Sequence, residues 1–231
     1  MDFQFKSNYN IEDLLKIVSI LRSDIGCPWD KKQSHKSLKQ NFIEETYEVI
    51  EAIDNNDTNL LLEELGDVLL QVVFHTQLES EVNNFNFDDV ADGICKKLIV
   101  RHPHVFSDTK VKNTDEVLDN WEKIKAQTKN QNSQLDAINS IAKTLPALMR
   151  TFKVLKKASK INPDLKSSSN AVNNLIEKST KLTDSSIMGN DNYYYSIIGE
   201  LLISVVQLAM CLNVDPELAL TDSCNAFINK L

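Results

Sequence analysis

Apolar residues recur three and four positions apart along almost the whole chain, and this spacing constrains the fold more than any other feature. The first stripe follows a good helix N-cap, Asn10, and comprises Ile11, Leu14, Leu15, Val18 and Leu21. Only five glycines and five prolines interrupt the 231 residues, too few for the turns of an all-β chain. The sequence therefore predicts an all-α protein.

Further apolar stripes predict a succession of helices separated by polar breaks. One helix carries Leu38 to Ile53, between expected breaks at 26–30 and 54–57. Another is expected to begin with Asp88 as its N-cap and to end at Pro103. The remaining helices are expected to begin near Thr58, Thr114, Pro146, Ala171, Tyr193 and Pro216.

The amino-acid composition limits the kinds of partner that the protein is expected to bind and the cellular compartment in which it is expected to lie. A net charge of −8 argues against a surface for nucleic acid polymers or anionic membranes. The four cysteines form no C-x-x-C pair, which favours reduced thiols over zinc or disulfides. The N-terminus lacks an apolar signal segment, and the longest apolar stretch, Leu201 to Leu212, reads as too short to span a bilayer. We therefore expect a cytoplasmic protein.

The second half of the chain resembles a degenerate repeat of the first half. Gly-Asp-Val-Leu at 66–69 aligns with Gly-Glu-Leu-Leu at 199–202, a shift of 133 residues (199 − 66 = 133). A stretch rich in Gln, Asn, Lys and Ser lies between the halves. We therefore expect two helical modules, residues 1–128 and 145–231, joined by a linker at 129–144.

Two acidic segments, Glu-Glu-Thr-Tyr-Glu at 44–48 and Glu-Glu-Leu-Gly-Asp at 63–67, lie on consecutive predicted helices. Residues three or four apart share a helix face, and a short turn makes two helices antiparallel. Four carboxylates should then converge, those of Glu45, Glu48, Glu64 and Asp67.

Converging carboxylates repel one another unless a cation or protons neutralise them. Oxygen ligands of this kind select Mg²⁺, Mn²⁺ or Ca²⁺. The alternative is an ordinary solvated acidic face. Apolar neighbours such as Phe42, Val49, Leu65 and Val68 favour a site over a surface.

Two pairs of downstream residues have the spacing of a shared helix face: Lys97 with Arg101, and Trp121 with Lys125. Cations beside an acidic metal cluster suit a polyphosphate that bridges both. The alternatives are a solvated helix end for the first pair and a core position for Trp121.

Several segments together closely resemble MazG proteins. They are Gly-Cys-Pro-Trp-Asp at 26–30, Glu-Glu-x-x-Glu at 44–48, Glu-x-x-Asp at 64–67 and Arg-His-Pro-His-Val-Phe at 101–106. Leu-Pro-Ala-Leu-Met-Arg at 145–150 resembles the start of that family's second module. The likeness extends over nearly the whole chain.

The resemblance implies an activity: Mg²⁺-dependent hydrolysis of nucleoside triphosphates to monophosphate and pyrophosphate, with Mn²⁺ as the substitute ion. It also implies a homodimer with a four-helix-bundle core. The metal ligands implied are Glu45, Glu48, Glu64 and Asp67, with Glu44 and Glu63 orienting water. The substrate residues implied are Lys97, Arg101, Trp121 and Lys125, and Trp29 is a further candidate for the nucleotide pocket.

The second module departs from this pattern. At the 133-residue shift, the four ligands correspond to Lys178, Lys181, Ile197 and Glu200. Because only one acid remains, we expect the second module to be degenerate and the first to carry the chemistry.

Two alternatives remain beside this assignment. A di-iron carboxylate bundle needs Glu-x-x-His pairs, and the sequence offers no imidazole at those positions. The non-enzymatic alternative is a catalytically weak, nucleotide-binding or regulatory helical scaffold, which a pyrophosphate-release assay would distinguish.

Overall fold

The computed structural model describes residues 3–129, 131, 133–182 and 191–231, and within them every regular element is a helix. The prediction of an all-α protein is confirmed. The chain divides into two compact units, residues 1–111 and 112–231.

The first unit contains six helices. Their bounds are α1 Ile11–Arg22, α2 Pro28–Lys32, α3 His35–Asp54, α4 Thr58–Glu81, α5 Phe87–Arg101 and α6 Pro103–Phe106. Asn10 caps α1 as predicted, since its side chain accepts from the Asp13 amide while the Asp13 carboxylate accepts from the Asn10 amide. The unit's core lies between α1, α3 and α4 and is built on Val18, Leu38, Val73 and Phe74.

The turn between α3 and α4 is short. Asn56 adopts a left-handed conformation with φ of 53°, which asparagine tolerates better than most residues. The Asp57 amide then donates to the Ala52 carbonyl at 2.9 Å, and the Asp57 side chain caps α4. The turn folds α4 back along α3, which is the predicted arrangement.

Two local expectations are corrected. The N-cap of α5 is Asn86 rather than Asp88, because Asn86 and Asp89 form a reciprocal capping box and Asp88 lies in the first turn. The predicted break at 26–30 contains the short helix α2, which begins at Pro28, a proline well suited to a first helical turn.

The second unit contains the other six helices and a 3₁₀ turn at Pro163–Lys166. Their bounds are α7 Thr114–Thr128, α8 Gln134–Asn139, α9 Ala147–Ala158, α10 Ser168–Lys181, α11 Asp191–Cys211 and α12 Pro216–Ile228. Helix α11 packs against both α9 and α10.

The division of the chain differs from the expected one. The units meet at residues 111 and 112, so α7 belongs to the second unit rather than the first. Within that unit, Glu122 on α7 forms an ion pair with Lys160 after α9. The expected linker, 129–144, contains the capped helix α8, whose Ala137 is buried; residues 130 and 132 lie outside the described residues. Polar composition concealed this helix, because Ala137 is its one buried apolar residue.

Helix α11 is longer and more apolar than expected. In the part of the chain that the structure describes, Asn192–Cys211 is 20 residues long with a mean hydropathy of 1.5, the length and composition of a membrane span. The expectation that this region is too short is therefore wrong. Ser204 and Gln207 are buried on this helix, and the Gln207 amide donates to the Leu165 carbonyl at 3.3 Å.

Candidate metal centre

Three of the four predicted ligands meet between α3 and α4. One carboxylate oxygen each of Glu45, Glu48 and Glu64 lies within 4.8 Å of the others. Glu45 and Glu48 are one turn apart on α3, and Glu64 faces them from α4 because the Asn55–Asp57 turn makes the two helices neighbours. Glu64 is 8% exposed, an unusual position for a carboxylate without a cationic partner.

The electrostatics of this group are those of crowded negative charge. Burial, followed by the charges of Glu48 and Asp67, raises the pKa of Glu64 above its ordinary value. Burial, followed by the charge of Asp67 and a hydrogen bond with Glu48, raises the pKa of Glu45. Such a group favours either protons or a bound cation, and its oxygen-only donors suit a hard divalent ion.

Asp67, the fourth predicted ligand, lies half-buried one turn after Glu64. Its carboxylate is outside the group whose oxygens lie within 4.8 Å, yet its charge raises the pKa of both Glu45 and Glu64. It is therefore a neighbour of the three-carboxylate group at the same end of the helix pair.

The two residues expected to orient water are exposed at the margin of the group. Glu44 lines a shallow groove along α3 with Tyr47, Glu48 and Glu51. The charge of Glu63 acts on Glu64 and contributes to the raised pKa of that carboxyl. Both side chains are open to water, as a water-orienting group requires.

The remaining candidates of the first unit lie on other elements. Lys97 is exposed on α5, and Arg101 is half-buried in the last turn of the same helix. Trp29, on α2, is 60% exposed. Arg22 holds α2 in place, because its guanidinium donates to the Asp30 carbonyl at 2.6 Å and pairs with both carboxylate oxygens of Glu81.

Trp121 and Lys125 share a face of α7 as predicted, and they belong to the second unit. The Lys125 ammonium lies 4.5 Å from the centroid of the Trp121 ring, a cation–π contact. Their assignment to the substrate therefore stays a prediction.

At the opposite end of the α3–α4 pair, three polar side chains contact one another in a row, and the sequence did not predict these contacts. The Nδ1 atoms of His35 and His75 lie 2.7 Å apart, and His35 Nε2 lies 2.6 Å from Glu79. Burial, and then the charge of His35, lowers the pKa of His75. The spacing of His75 and Glu79 signals a shared face, but His35 is 40 positions away and only the helix pairing brings it there.

The corresponding place in the second unit carries a lysine. The Lys178 ammonium lies 3.8 Å from the Glu200 carboxylate and donates to the Ser204 hydroxyl at 3.1 Å. Ile197 is buried beside them. This helix pair supplies its own cation where the first pair gathers carboxylates.

Comparison with known proteins gives the same assignment as the motifs. The family model of the MazG nucleotide pyrophosphohydrolase domain matches residues 33–106, a span that contains the acidic residues of the candidate metal centre, Glu44, Glu45, Glu48, Glu63, Glu64 and Asp67. A relative from Thermotoga maritima, named nucleoside triphosphate pyrophosphohydrolase/pyrophosphatase MazG, is 40% identical over 95% of this chain and 83% of its own length. The Escherichia coli K12 nucleoside triphosphate pyrophosphohydrolase is 37% identical over 94% of this chain and 84% of its own length.

A third relative is similar over a shorter region. YabN of Bacillus subtilis, described as uncharacterized, is 53% identical over 140 residues. The match takes in 61% of this chain and 28% of YabN, so this chain spans little more than a quarter of that relative.

Proposed function

The chain belongs to the MazG family, and from that premise we propose that it hydrolyses nucleoside triphosphates to nucleoside monophosphate and pyrophosphate, removing unwanted members of the nucleotide pool. The observation that carries this proposal is the convergence of Glu45, Glu48 and Glu64 between α3 and α4, inside the segment that matches the family.

The metal proposed for this site is Mg²⁺, with Mn²⁺ as its substitute. The fit rests on three convergent carboxylate oxygens, on the raised pKa values of Glu45 and Glu64, and on the nearby Asp67. Mg²⁺ and Mn²⁺ prefer such oxygen donors. A divalent cation held there supplies positive charge that binds phosphate oxygens and stabilises the charge developing during hydrolysis.

The protein's own side chains would orient the attacking water and bind the substrate. Glu44 or Glu63, both exposed beside the carboxylate group, would orient the attacking water and accept its proton. Lys97 and Arg101, one turn apart on α5, would bind phosphate oxygens. The proposed contacts to the nucleoside are those of Trp121, Lys125 and Trp29, which the family resemblance supports.

We place this chemistry in the first unit alone. Lys178 and Ile197 stand where Glu45 and Glu64 would be repeated, and the Lys178 ammonium is already bound to Ser204. An ammonium at the centre of the helix pair excludes a divalent cation by charge repulsion. Two tandem modules of common design, the second degenerate, are the proposed organisation.

A homodimer is the proposed assembly. Leu62, Leu65 and Leu69 form a stripe along α4 and are 76%, 51% and 39% exposed. Val90, Ile94 and Leu98 form a second stripe, on α5 of the same unit, and are similarly exposed. Exposed apolar stripes of this length are typical of protein interfaces, and a second copy with the same stripes could complete a four-helix core. Light scattering at micromolar concentration should give twice the chain mass; a monomer mass would contradict the assembly.

We propose a cytoplasmic location, in spite of the apolar composition of α11. Helices α9 and α10 pack on α11, and two of its buried side chains, Ser204 and Gln207, are polar and hydrogen-bonded to protein. These contacts support the packing of one face of α11 against the second unit.

The experiment that tests the function is a product analysis. Canonical and modified nucleoside triphosphates are incubated with Mg²⁺, and the products are resolved by HPLC together with a pyrophosphate assay. The expected products are monophosphate and pyrophosphate in equal amounts. Diphosphate and orthophosphate would overturn the proposal, and binding without turnover of any substrate would favour the regulatory scaffold instead.

A further inference from the structure

A basic cleft lies in the second unit, between α7, α8 and α9. Lys125, Lys157 and Lys160 line it, and Glu122 is the single acid among its lining residues. The cleft therefore has an excess of two positive charges in a protein whose net charge is −8. Such a concentration of one sign in a concave site attracts ligands of the opposite sign.

Other polar contacts hold the walls of the cleft. The Lys125 ammonium is held over the Trp121 ring at 4.5 Å. Lys160 is paired with Glu122, which fixes the segment after α9 against α7. Gln131 lines the cleft and donates to the Ser140 hydroxyl at 2.8 Å, which fixes the loop before α8. The lysines thus lie on three segments that the fold ties together.

The charge of this region extends beyond the cleft. From residue 143 to residue 163 the chain carries six basic and no acidic residues: Lys143, Arg150, Lys153, Lys156, Lys157 and Lys160. The nearby lysines of this segment, Lys160 first and then Lys157 and Lys156, lower the pKa of Glu122. Glu122 therefore stays ionised and orients Lys160, but one carboxylate does not neutralise the lysines around it.

We propose that this cleft binds the phosphate chain of a small ligand, either free pyrophosphate or the phosphates of a nucleotide. Ammonium groups bind phosphate oxygens as point charges, and the Ser133 hydroxyl and Gln134 amide at the same cleft offer further donors. The site goes beyond the proposed hydrolysis, because it needs neither the carboxylate group nor a metal ion. It shares Lys125 with the proposed nucleoside contacts, so its test rests on Lys157, which has no role in the proposed hydrolysis.

The absence of a metal requirement separates the two sites experimentally. With EDTA present, the carboxylate group repels phosphate, whereas a lysine site still binds it. Equilibrium dialysis of the full-length protein with radiolabelled inorganic pyrophosphate, in EDTA at low salt, should therefore detect binding. A parallel titration with a non-hydrolysable nucleoside triphosphate analogue distinguishes the two sources of the phosphate chain.

The informative variant is Lys157→Ala, and its matched control is Lys156→Ala. Both remove one charge from the same helix, but Lys156 lines a different groove, with Phe152 and Met210. We expect Lys157→Ala to weaken metal-free binding by about tenfold, the loss of one charged hydrogen bond. Lys156→Ala should lose less, within about twofold, because Lys156 does not line the cleft and would give no hydrogen bond to the phosphate.

Three results would overturn the proposal. They are no metal-free binding by the unmodified protein, equal losses in the two variants, and tighter binding of a single-stranded RNA that displaces pyrophosphate and weakens steeply with salt. The last would identify a nucleic-acid surface. None of them bears on the products of hydrolysis, so failure here and failure of the proposed function are distinguishable.

Discussion

The helix pair α3–α4 of the first unit and the pair α10–α11 of the second differ in charge more than in packing. At a shift of 133 residues, buried positions of one pair fall on buried positions of the other: Leu38 on Ala171, Glu64 on Ile197, Gln71 on Ser204, Val73 on Val206 and Phe74 on Gln207. This agreement supports the proposal of two related modules.

What differs is the charge between the helices. The first pair gathers Glu45, Glu48 and Glu64, whose mutual repulsion the proposed metal ion would neutralise. The second pair holds the Lys178 ammonium between the Glu200 carboxylate and the Ser204 hydroxyl. The comparison teaches that a few side chains decide whether such a helix pair carries the carboxylates of the proposed metal site or an internal lysine paired with a single glutamate.

The largest expected effect comes from removing an acid from each pair. Glu48→Ala should lower the turnover of nucleoside triphosphates by at least about 100-fold, because it deletes an oxygen of the proposed metal site. Glu200→Ala should leave turnover nearly unchanged, since no second carboxylate accompanies it. Steady-state kinetics with Mg²⁺ measures both. A dead Glu200→Ala beside an active Glu48→Ala would reverse the assignment of the two units.

A second contrast concerns stability. Arg22→Ala should destabilise the first unit by about 3 kcal/mol, because the Arg22 side chain is 6% exposed and its loss removes a donor to the Asp30 carbonyl and leaves Glu81 with the Gln77 amide alone of its present donors. Lys178→Met should cost the second unit only about 1 kcal/mol, since Glu200 is half exposed and the Ser204 hydroxyl also donates to a carbonyl. Hydrogen exchange of amides in α4 and α11 reports each unit separately.

The control for that pair of variants is Lys31→Ala, which removes an ion pair with the almost fully exposed Asp24. Exposed pairs contribute little, so this variant should be indistinguishable from the parent protein. Losses of similar size in Arg22→Ala and Lys31→Ala would show that Arg22 has no special structural role.

The smallest predicted effect concerns how the stability of the first unit depends on pH. The pKa of His75 is lowered, so its contribution to stability is complete above the unfolded value of about 6.5 and is lost as pH falls through the folded pKa. Glu79, whose pKa is lowered by hydrogen bonds from Asn84 and His35, acts in the same direction at lower pH. His75 and Glu79 both lie in the first unit, so their lowered pKa values should make its stability fall on acidification.

His75→Leu should reduce this dependence. The variant removes the titrating imidazole, and thermal unfolding of the first unit between pH 7 and pH 5 should then change less than in the parent protein. An unchanged slope would show that the His35–His75 contact does not couple to protonation.

Local signals in the sequence account for what could be predicted. Helical periodicity, the Asn10 cap and the turn before Thr58 are properties of neighbouring residues, and the structure has them as expected. The convergence of Glu45, Glu48 and Glu64 followed from two helices and one short turn.

Features that depend on contacts between distant residues were missed. His35 meets His75 and Glu79 only through the pairing of α3 and α4, and periodicity does not report such a pairing. The grouping of α7 with the second unit was also missed, and the Glu122–Lys160 ion pair found there joins residues 38 positions apart. Helix α8 was hidden by its polar composition, because one buried alanine is too weak an apolar signal.

Mn²⁺ binding tests the central claim, a metal site on the α3–α4 pair, most directly. Mn²⁺ is titrated into the parent protein, Glu64→Gln and Glu200→Gln, and free Mn²⁺ is followed by electron paramagnetic resonance. We predict binding by the parent protein and by Glu200→Gln, with a loss of at least about tenfold in affinity for Glu64→Gln. Equal binding by Glu64→Gln, or a loss confined to Glu200→Gln, would contradict the account.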